Sequence, residues 1–325
     1  MGGAGYIGSH TAKVLDESGY NVVIFDNLSA GKREAALGKP LIQGDILDAA
    51  LLRETLTKYD ISAVMQFAAS LSVADSVVDP KGYYQNNVVG TLSLLGAMVA
   101  ESVDRLVFSS TAAIYGNPIK TPISEDHPKN PINSYGETKL TIERALQHYD
   151  RAYGLKSISL RYFNASGADP DGLLGENHEP ETHLIPRALD AASGGPPLEI
   201  FGDDYETPDG TCLRDYIHVT DLASAHVLAL GCLEEGSDST AYNLGNGKPY
   251  SVKEVVEVVS QVTSKRVPCV VSRQRSGDPA ILFASSENIQ RELNWTPRFT
   301  ELTSIVETAW RWHRGKSGKT VVVEK

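Results

Sequence analysis

Between Asn21 and about Arg161, short runs of apolar and β-branched residues alternate with longer stretches in which apolar positions recur at helical spacing. The short runs are Val22-Val23-Ile24-Phe25, Ala63-Val64-Met65-Gln66-Phe67, Leu106-Val107-Phe108 and Ser157-Ile158-Ser159-Leu160; the longer ones fall near Ala49–Tyr59, Tyr83–Glu101 and Glu137–Tyr153. Strands that are apolar throughout need cover on both faces, and a helix between each strand and the next supplies it. The pattern predicts a doubly wound, parallel, Rossmann-type α/β sheet. After Asn164 the texture changes to a stretch rich in Gly, Pro, Asp and Glu (Gly167 to Pro180), then to shorter helices and strands up to about Arg314. We therefore expect a nucleotide-binding domain over residues 1–164, a smaller mixed α/β lobe over 165–314 partly interleaved with it, and a tail over 315–325.

The chain opens Met1-Gly2-Gly3-Ala4-Gly5-Tyr6-Ile7-Gly8, with Gly2, Gly5 and Gly8 at intervals of three, and a helical segment follows to about Ser18. Such glycines allow a tight turn, close approach of backbone to a pyrophosphate and close helix–strand packing, while the helix N-terminus favours the phosphate charge. Asp26 ends the next strand, 18 residues beyond Gly8. A carboxylate there accepts hydrogen bonds from an adenosine ribose and repels a 2′-phosphate, so the pattern points to NAD rather than NADP. A dinucleotide fold normally places a strand immediately before the first glycine, yet only Met1 precedes Gly2. The first strand is expected to be missing, the sequence beginning several residues late.

Tyr135 and Lys139 stand at i and i+4 of a helical stretch and so share a face. A cation beside a phenol favours phenolate, which predicts a Tyr135 pKa lowered toward neutrality and a residue able to exchange a proton with a substrate hydroxyl. Upstream, Arg105-Leu106-Val107-Phe108-Ser109-Ser110-Thr111 is a strand running into hydroxyl residues. Ligands of open α/β sheets bind outside the C-terminal ends of strands, so Thr111 is a candidate to bind the same substrate oxygen.

Of 325 residues, 41% are hydrophobic and 22% charged, and the formal net charge of -11 is spread along the chain. That balance argues against a nucleic-acid groove. Cys212, Cys232 and Cys269 are far apart and form no metal-ligand pattern, so no disulfide framework and no metal are expected. His178 and His183, in the polar loop after Gly167, read as hydrogen-bonding or surface groups, and His218, in an apolar strand, as a core residue. The apolar stripe from Leu222 to Leu233 reads as core or interface. No run of about 18 apolar residues and no targeting segment is present, so the expected location is cytoplasmic, away from membranes.

Together, Gly2–His10, Asp26-Asn27-Leu28, Gly44-Asp45-Ile46, Asn86-Asn87, Phe108–Gly116, Tyr135–Lys139, Arg161-Tyr162-Phe163-Asn164, Asp209–Val219 and Tyr242-Asn243-Leu244-Gly245 resemble the extended short-chain dehydrogenase/reductase family, in its nucleotide-sugar 4-epimerase branch. The resemblance covers nearly the whole chain. It implies an isomerase that holds NAD tightly: hydride leaves sugar C4, the 4-keto sugar turns over in the site, and hydride returns to the other face. UDP-glucose and UDP-galactose are the implied substrates. NAD contacts carry over to Tyr6, Ile7, Asp26, Asn27, Asp45, Ile46, Phe67, Asn86, Lys139 and Phe163, beside the glycines, and Tyr135 becomes the base and then the acid. Substrate contacts carry over to Thr111, Tyr135, Asn164, Leu184, Phe201, Arg214, Arg275 and Asp278. Guanidinium suits a diphosphate, and an acidic protein needs such local charge to hold UDP. A homodimer joined through the helices near Tyr83–Glu101 and Glu137–Tyr153 is likewise implied.

Three departures bear on this reading. Thr111 stands where serine is common, Leu71 where some relatives carry lysine, and Leu282 where bulk is associated with substrate choice. A nucleotide-sugar 4,6-dehydratase shares fold and cofactor, but such relatives carry Asp-Glu after the threonine, and a decarboxylase carries Glu in that segment. Here Ala112-Ala113 follows, and neither side chain transfers a proton. A NAD-sensing protein without turnover would have no need of both Tyr135 and Lys139.

Overall fold

The computed structural model describes residues 1–274 and 279–318. Its largest sheet is parallel, with strand order β3 (Val64–Gln66), β4 (Arg105–Thr111), β5 (Lys156–Tyr162) and β9 (Thr240–Leu244). A parallel pair, β1 (Ile24–Asp26) and β2 (Leu41–Gln43), lies beyond β3. Helices α1 (Tyr6–Glu17), α2 (Ala49–Lys58), α5 (Gly90–Ala100) and α6 (Ser134–Tyr153) alternate with these strands, as the periodicity predicts. Two short helices, α3 (Val73–Val78) and α4 (Pro80–Tyr83), follow β3 and lead through a π-helical turn into α5. Helix α6 starts where the Asn133 side chain accepts from Gly136 N at 2.8 Å, and it stops at Gly154 in the left-handed conformation (φ 72°). A cap at one end and a glycine at the other fix the helix that carries Tyr135 and Lys139.

Between β1 and β3 lie Met1 and Gly2, the latter at φ 72°. The Met1 ammonium donates to Met65 O, Phe67 N donates to Met1 O, and Gly2 N donates to Phe25 O, each at 2.8 Å. Next to this short bridge lies a cavity of about 590 Å³ lined by Val22, Ile24, Leu56, Val64 and Leu230. Gly8 and Phe67 also border it, but Thr111, Tyr135, Lys139 and Arg214 do not.

Residues 219–244 return to the first layer. Helix α8 (Val219–Glu234) packs on α1 and on β4 and β5, and β9 extends the sheet in parallel register with β5 from Ile158↔Thr240 to Tyr162↔Leu244. The Leu222–Leu233 stripe is core: Leu222, Ala225, Ala229, Leu230 and Leu233 are buried with Val107, Ile158, Leu160 and Trp295. The second lobe is built on β8 (Leu213–His218), flanked by antiparallel β10 (Pro249–Ser251) and by parallel β6 (Asn164–Ser166) and β12 (Ile281–Leu282). Beside it lies the parallel pair β7 (Leu198–Phe201) and β11 (Cys269–Ser272). Helices α7 (Leu184–Ala192), α9 (Val252–Thr263) and α11 (Leu302–Gly318) share an apolar core, and α10 (Glu287–Leu293) lies on β9. Residues 315–318, expected in the tail, continue α11, because no Pro or competing cap interrupts the helix there.

Candidate active site

The glycine loop divides by what each missing Cβ would meet. At Gly2 (φ 72°) a Cβ would fall 2.5 Å from Ala68 N, and at Gly8 2.2 Å from Gly2 O, so backbone packing alone forbids a side chain at both. Gly5, the N-cap of α1, has only Gly2 O at 3.4 Å, which is ordinary contact, and it lines a second cavity of about 430 Å³. The space beside Gly5 is therefore left open to a ligand, at a helix N-terminus suited to phosphate. Asp26 braces the loop from the end of β1: its carboxylate accepts from Ala4 N at 2.9 Å and Leu28 N at 2.8 Å. We expect Gly8→Ala to lose soluble, folded protein, whereas Gly5→Val folds and loses the dinucleotide; the absorbance of nucleotide released on denaturation, set beside circular dichroism, checks both.

The same cavity reaches the end of β4 and the first turn of α6. Thr111, Tyr135 and Lys139 all line it. Lys139 is buried (2% exposed), its ammonium donates to Ser109 O at 2.8 Å, and it lies 4.9 Å from the centre of the Phe108 ring and 5.9 Å from that of Tyr135. The pKa expectation for Tyr135 is reversed. Burial pushes the Tyr135 phenol up to about 12, with the Thr111 hydroxyl offsetting only part of it, and burial drives Lys139 down to about 7 against the pull of Glu143. Helical spacing supplies proximity, but desolvation penalises the charged form of each group and is the largest influence on both. A phenolate in this pocket requires further positive charge from a bound group.

Behind the pair, Glu143 joins α6 to the sheet. Its Oε1 accepts from Ser110 Oγ at 2.6 Å and from Arg161 Nε at 2.9 Å, while Oε2 accepts from Arg161 Nη2 at 2.7 Å, and both side chains are buried. Arg161 also donates to Tyr115 Oη at 3.0 Å, and that phenol donates to Asn243 Oδ1 at 2.7 Å. Asn87 performs the matching task on the cofactor side: Nδ2 donates to Ser70 O and Thr138 Oγ1, and Oδ1 accepts from Ser70 N. Glu143 escapes motif reading, and Asn87 enters it only beside Asn86, without a role of its own. A charged residue on the sheet-facing side of α6, one turn beyond Lys139, was the available signal for Glu143.

Of the other residues expected to bind ligand, Tyr6, Ile7, Asn27, Ile46, Phe67, Asn86, Phe163, Asn164 and Arg214 all line this cavity. Asp45, Leu184 and Phe201 do not. Asp45 stands one residue back, accepting from Asn27 Nδ2 at 3.1 Å; Leu184 begins α7 and packs against the second core; Phe201 ends β7. Arg275 and Asp278 lie outside the described residues. Asn164 Nδ2 donates to Asp215 O at 2.9 Å, and the buried Asp215 carboxylate accepts from Asn246 N and Gly247 N, which makes it the organiser of the turn after β9. His218 is the core residue expected: fully buried, hydrogen-bonded to Thr308 at 3.0 Å and stacked on Phe299, with its pKa lowered by burial to about 3. His178 and His183 are not independent surface groups; they converge on Glu176 and Glu181 at the wall of the cavity.

A glycine loop, a strand-end aspartate and a Tyr/Lys pair around one cavity of a doubly wound sheet define a dinucleotide-dependent enzyme of the Tyr-x-x-x-Lys class. More narrowly, residues 1–245 match the NAD dependent epimerase/dehydratase family, and the chain belongs to that family. The UDP-glucose 4-epimerase of Halalkalibacterium halodurans is 51% identical over 314 residues, which are 96% of this chain and 94% of that one. The crystal structure of UDP-glucose 4-epimerase from Brucella ovis in complex with NAD superimposes with a TM-score of 0.93 at 52% identity, over 95% of each chain. That of Stenotrophomonas maltophila, with bound NAD and formylated UDP-arabinopyranose, gives 0.94 at 39% identity over 98% of this chain and 97% of its own. Among the described residues, no helix is long and apolar enough to cross a membrane.

Proposed function

We propose that this chain interconverts UDP-glucose and UDP-galactose by transient oxidation at C4. The observation that carries the reading is the convergence of Thr111, Tyr135, Lys139, Gly5 and Arg214 on one cavity. Relatives bearing this activity in their names match nearly the full chain at about half identity, and solved neighbours contain NAD or a UDP-sugar.

The opening beside Gly5 and the N-terminus of α1 receives the dinucleotide phosphates, and Asp26 stands where the adenosine ribose would lie. NAD held there would supply a reversible hydride acceptor for C4. Tyr135 accepts the C4 hydroxyl proton as the carbonyl forms and returns it on reduction, while Thr111 holds the same oxygen. Lys139, anchored to Ser109 O, is the residue that would hold the nicotinamide ribose. Arg214, in β8, holds the diphosphate as a fixed cation. A nucleotide held through its phosphates stays in place while the oxidised sugar, bound loosely by its ring, rotates. Ala112 and Ala113 line the cavity where a 4,6-dehydratase would need its elimination acid and base, so the site favours epimerisation.

Purified protein is expected to convert UDP-galactose to UDP-glucose without added NAD and to release dinucleotide on denaturation. Absence of conversion together with absence of released nucleotide overturns the proposal.

A further inference from the structure

Glu176, His178, Glu181 and His183 each bring one ligand atom into a group whose members all lie within 4.8 Å of one another. His183 Nδ1 is 2.7 Å from Glu176 Oε1, His178 Nδ1 is 3.1 Å from the same oxygen, His183 Nδ1 is 3.2 Å from Glu181 Oε1, and His178 Nδ1 is 3.8 Å from Glu181 Oε2. Four N and O ligands at Zn²⁺ bond lengths would stand about 3.3 Å apart around a tetrahedral ion. These spacings bracket that value.

Direction separates an ion site from a hydrogen-bonded cluster. The Glu176 side chain is only 6% exposed, yet Oε1 makes no hydrogen bond, and neither does His178 Nδ1, although the two atoms are 3.1 Å apart. Hydrogen bonding would have one atom's N–H point at the other. Here the atoms lie close without donating to each other, as lone pairs do when they converge on a common point. A buried carboxylate oxygen that accepts no hydrogen bond is costly, and an ion at that point would satisfy it.

The surroundings hold the four groups as an outer shell holds metal ligands. Glu181 Oε1 accepts from Thr182 N at 2.8 Å and His183 N at 2.9 Å and is hydrogen-bonded to His183 Nδ1 at 3.2 Å, a contact that metal binding would replace, and Oε2 is directed elsewhere. Glu176 O accepts from Trp312 Nε1 of α11 at 3.1 Å, and the Tyr6 ring meets the His178 ring edge-on at 6.3 Å. Hydrogen-bonded ligand carboxylates and backbone anchored to a separate helix are what keep a metal site preorganised.

We propose that Glu176, His178, Glu181 and His183 form a divalent transition-metal site, a two-nitrogen, two-oxygen set suited to Zn²⁺, that pins the 167–183 loop to the start of α7. The mixed imidazole and carboxylate donors favour such an ion over Ca²⁺ or Mg²⁺, which take oxygen ligands. Two carboxylates neutralise its charge. This revises the expectation of no metal, and it does not depend on the reaction proposed above.

The test uses the full chain, stripped with a chelator and dialysed, then titrated with Co²⁺ and, in competition with a chromophoric chelator, with Zn²⁺. Expected are one ion per chain by elemental analysis, the visible d–d absorption of tetrahedral Co²⁺, and a rise in melting temperature with Zn²⁺. His178→Ala and Glu176→Gln should each weaken binding about 10–100-fold and abolish the thermal shift. His148→Ala, at an exposed histidine on α6, should change neither. Circular dichroism establishes that each variant is folded. Absence of stoichiometric uptake by the unaltered chain overturns the site, and so does uptake that the folded Glu176 and His178 variants leave intact.

Discussion

Tyr135→Phe is expected to lower turnover of UDP-galactose by about 10²–10⁴-fold while leaving the dinucleotide bound. The substitution removes one oxygen and keeps the ring beside Lys139, so binding groups remain and only the proton acceptor is lost. The lost factor should fall on kcat, because the interaction removed is one made as the C4 proton moves. Nucleotide content per chain and steady-state rates measure the two effects separately. Turnover like that of the unaltered protein would take Tyr135 out of the chemistry; loss of nucleotide would mean that its role is structural.

Arg161→Leu should destabilise the fold by about 3–5 kcal/mol, because it leaves the Glu143 carboxylate buried without its cation. The pair is closed at 2.7 Å with both side chains less than a tenth exposed, and it joins α6 to β4 through Ser110. Urea unfolding measures the loss. The double change Glu143→Leu with Arg161→Leu should recover much of it, since an apolar pair needs no desolvated charge. A single change costing less than about 1 kcal/mol, the range of exposed pairs, would show that the pair contributes nothing as a buried one. Turnover should fall in the single variant as well, because the helix that carries Tyr135 loses its fastening to the strand that carries Thr111.

Much of the first layer was legible along the chain. Val64–Gln66, Arg105–Thr111 and Lys156–Tyr162 are strands where the apolar runs stood, and Tyr135 and Lys139 face one cavity as their spacing requires. Local periodicity is enough for this, because a strand covered on both faces and a helix covered on one leave different signatures. The return of β9 and α8 to the first sheet was not legible in detail. Pairing between Ile158 and Thr240 spans a large sequence separation, and nothing local in Thr240–Leu244 names β5 as its neighbour.

By itself, the sequence determined the class of sheet, the glycine loop, the placing of Tyr135 and Lys139 on one helix face and the family, since each is written in residue type and short spacing. Tertiary structure decided which charges survive burial and which side chains meet. It reversed the expected Tyr135 shift, and it lowered Lys139 as well, because desolvation depends on everything packed around a group. It also drew His178 and His183 onto Glu176 and Glu181, because the convergence of lone pairs is set by how a loop is folded and anchored, a property that no spacing along the chain encodes.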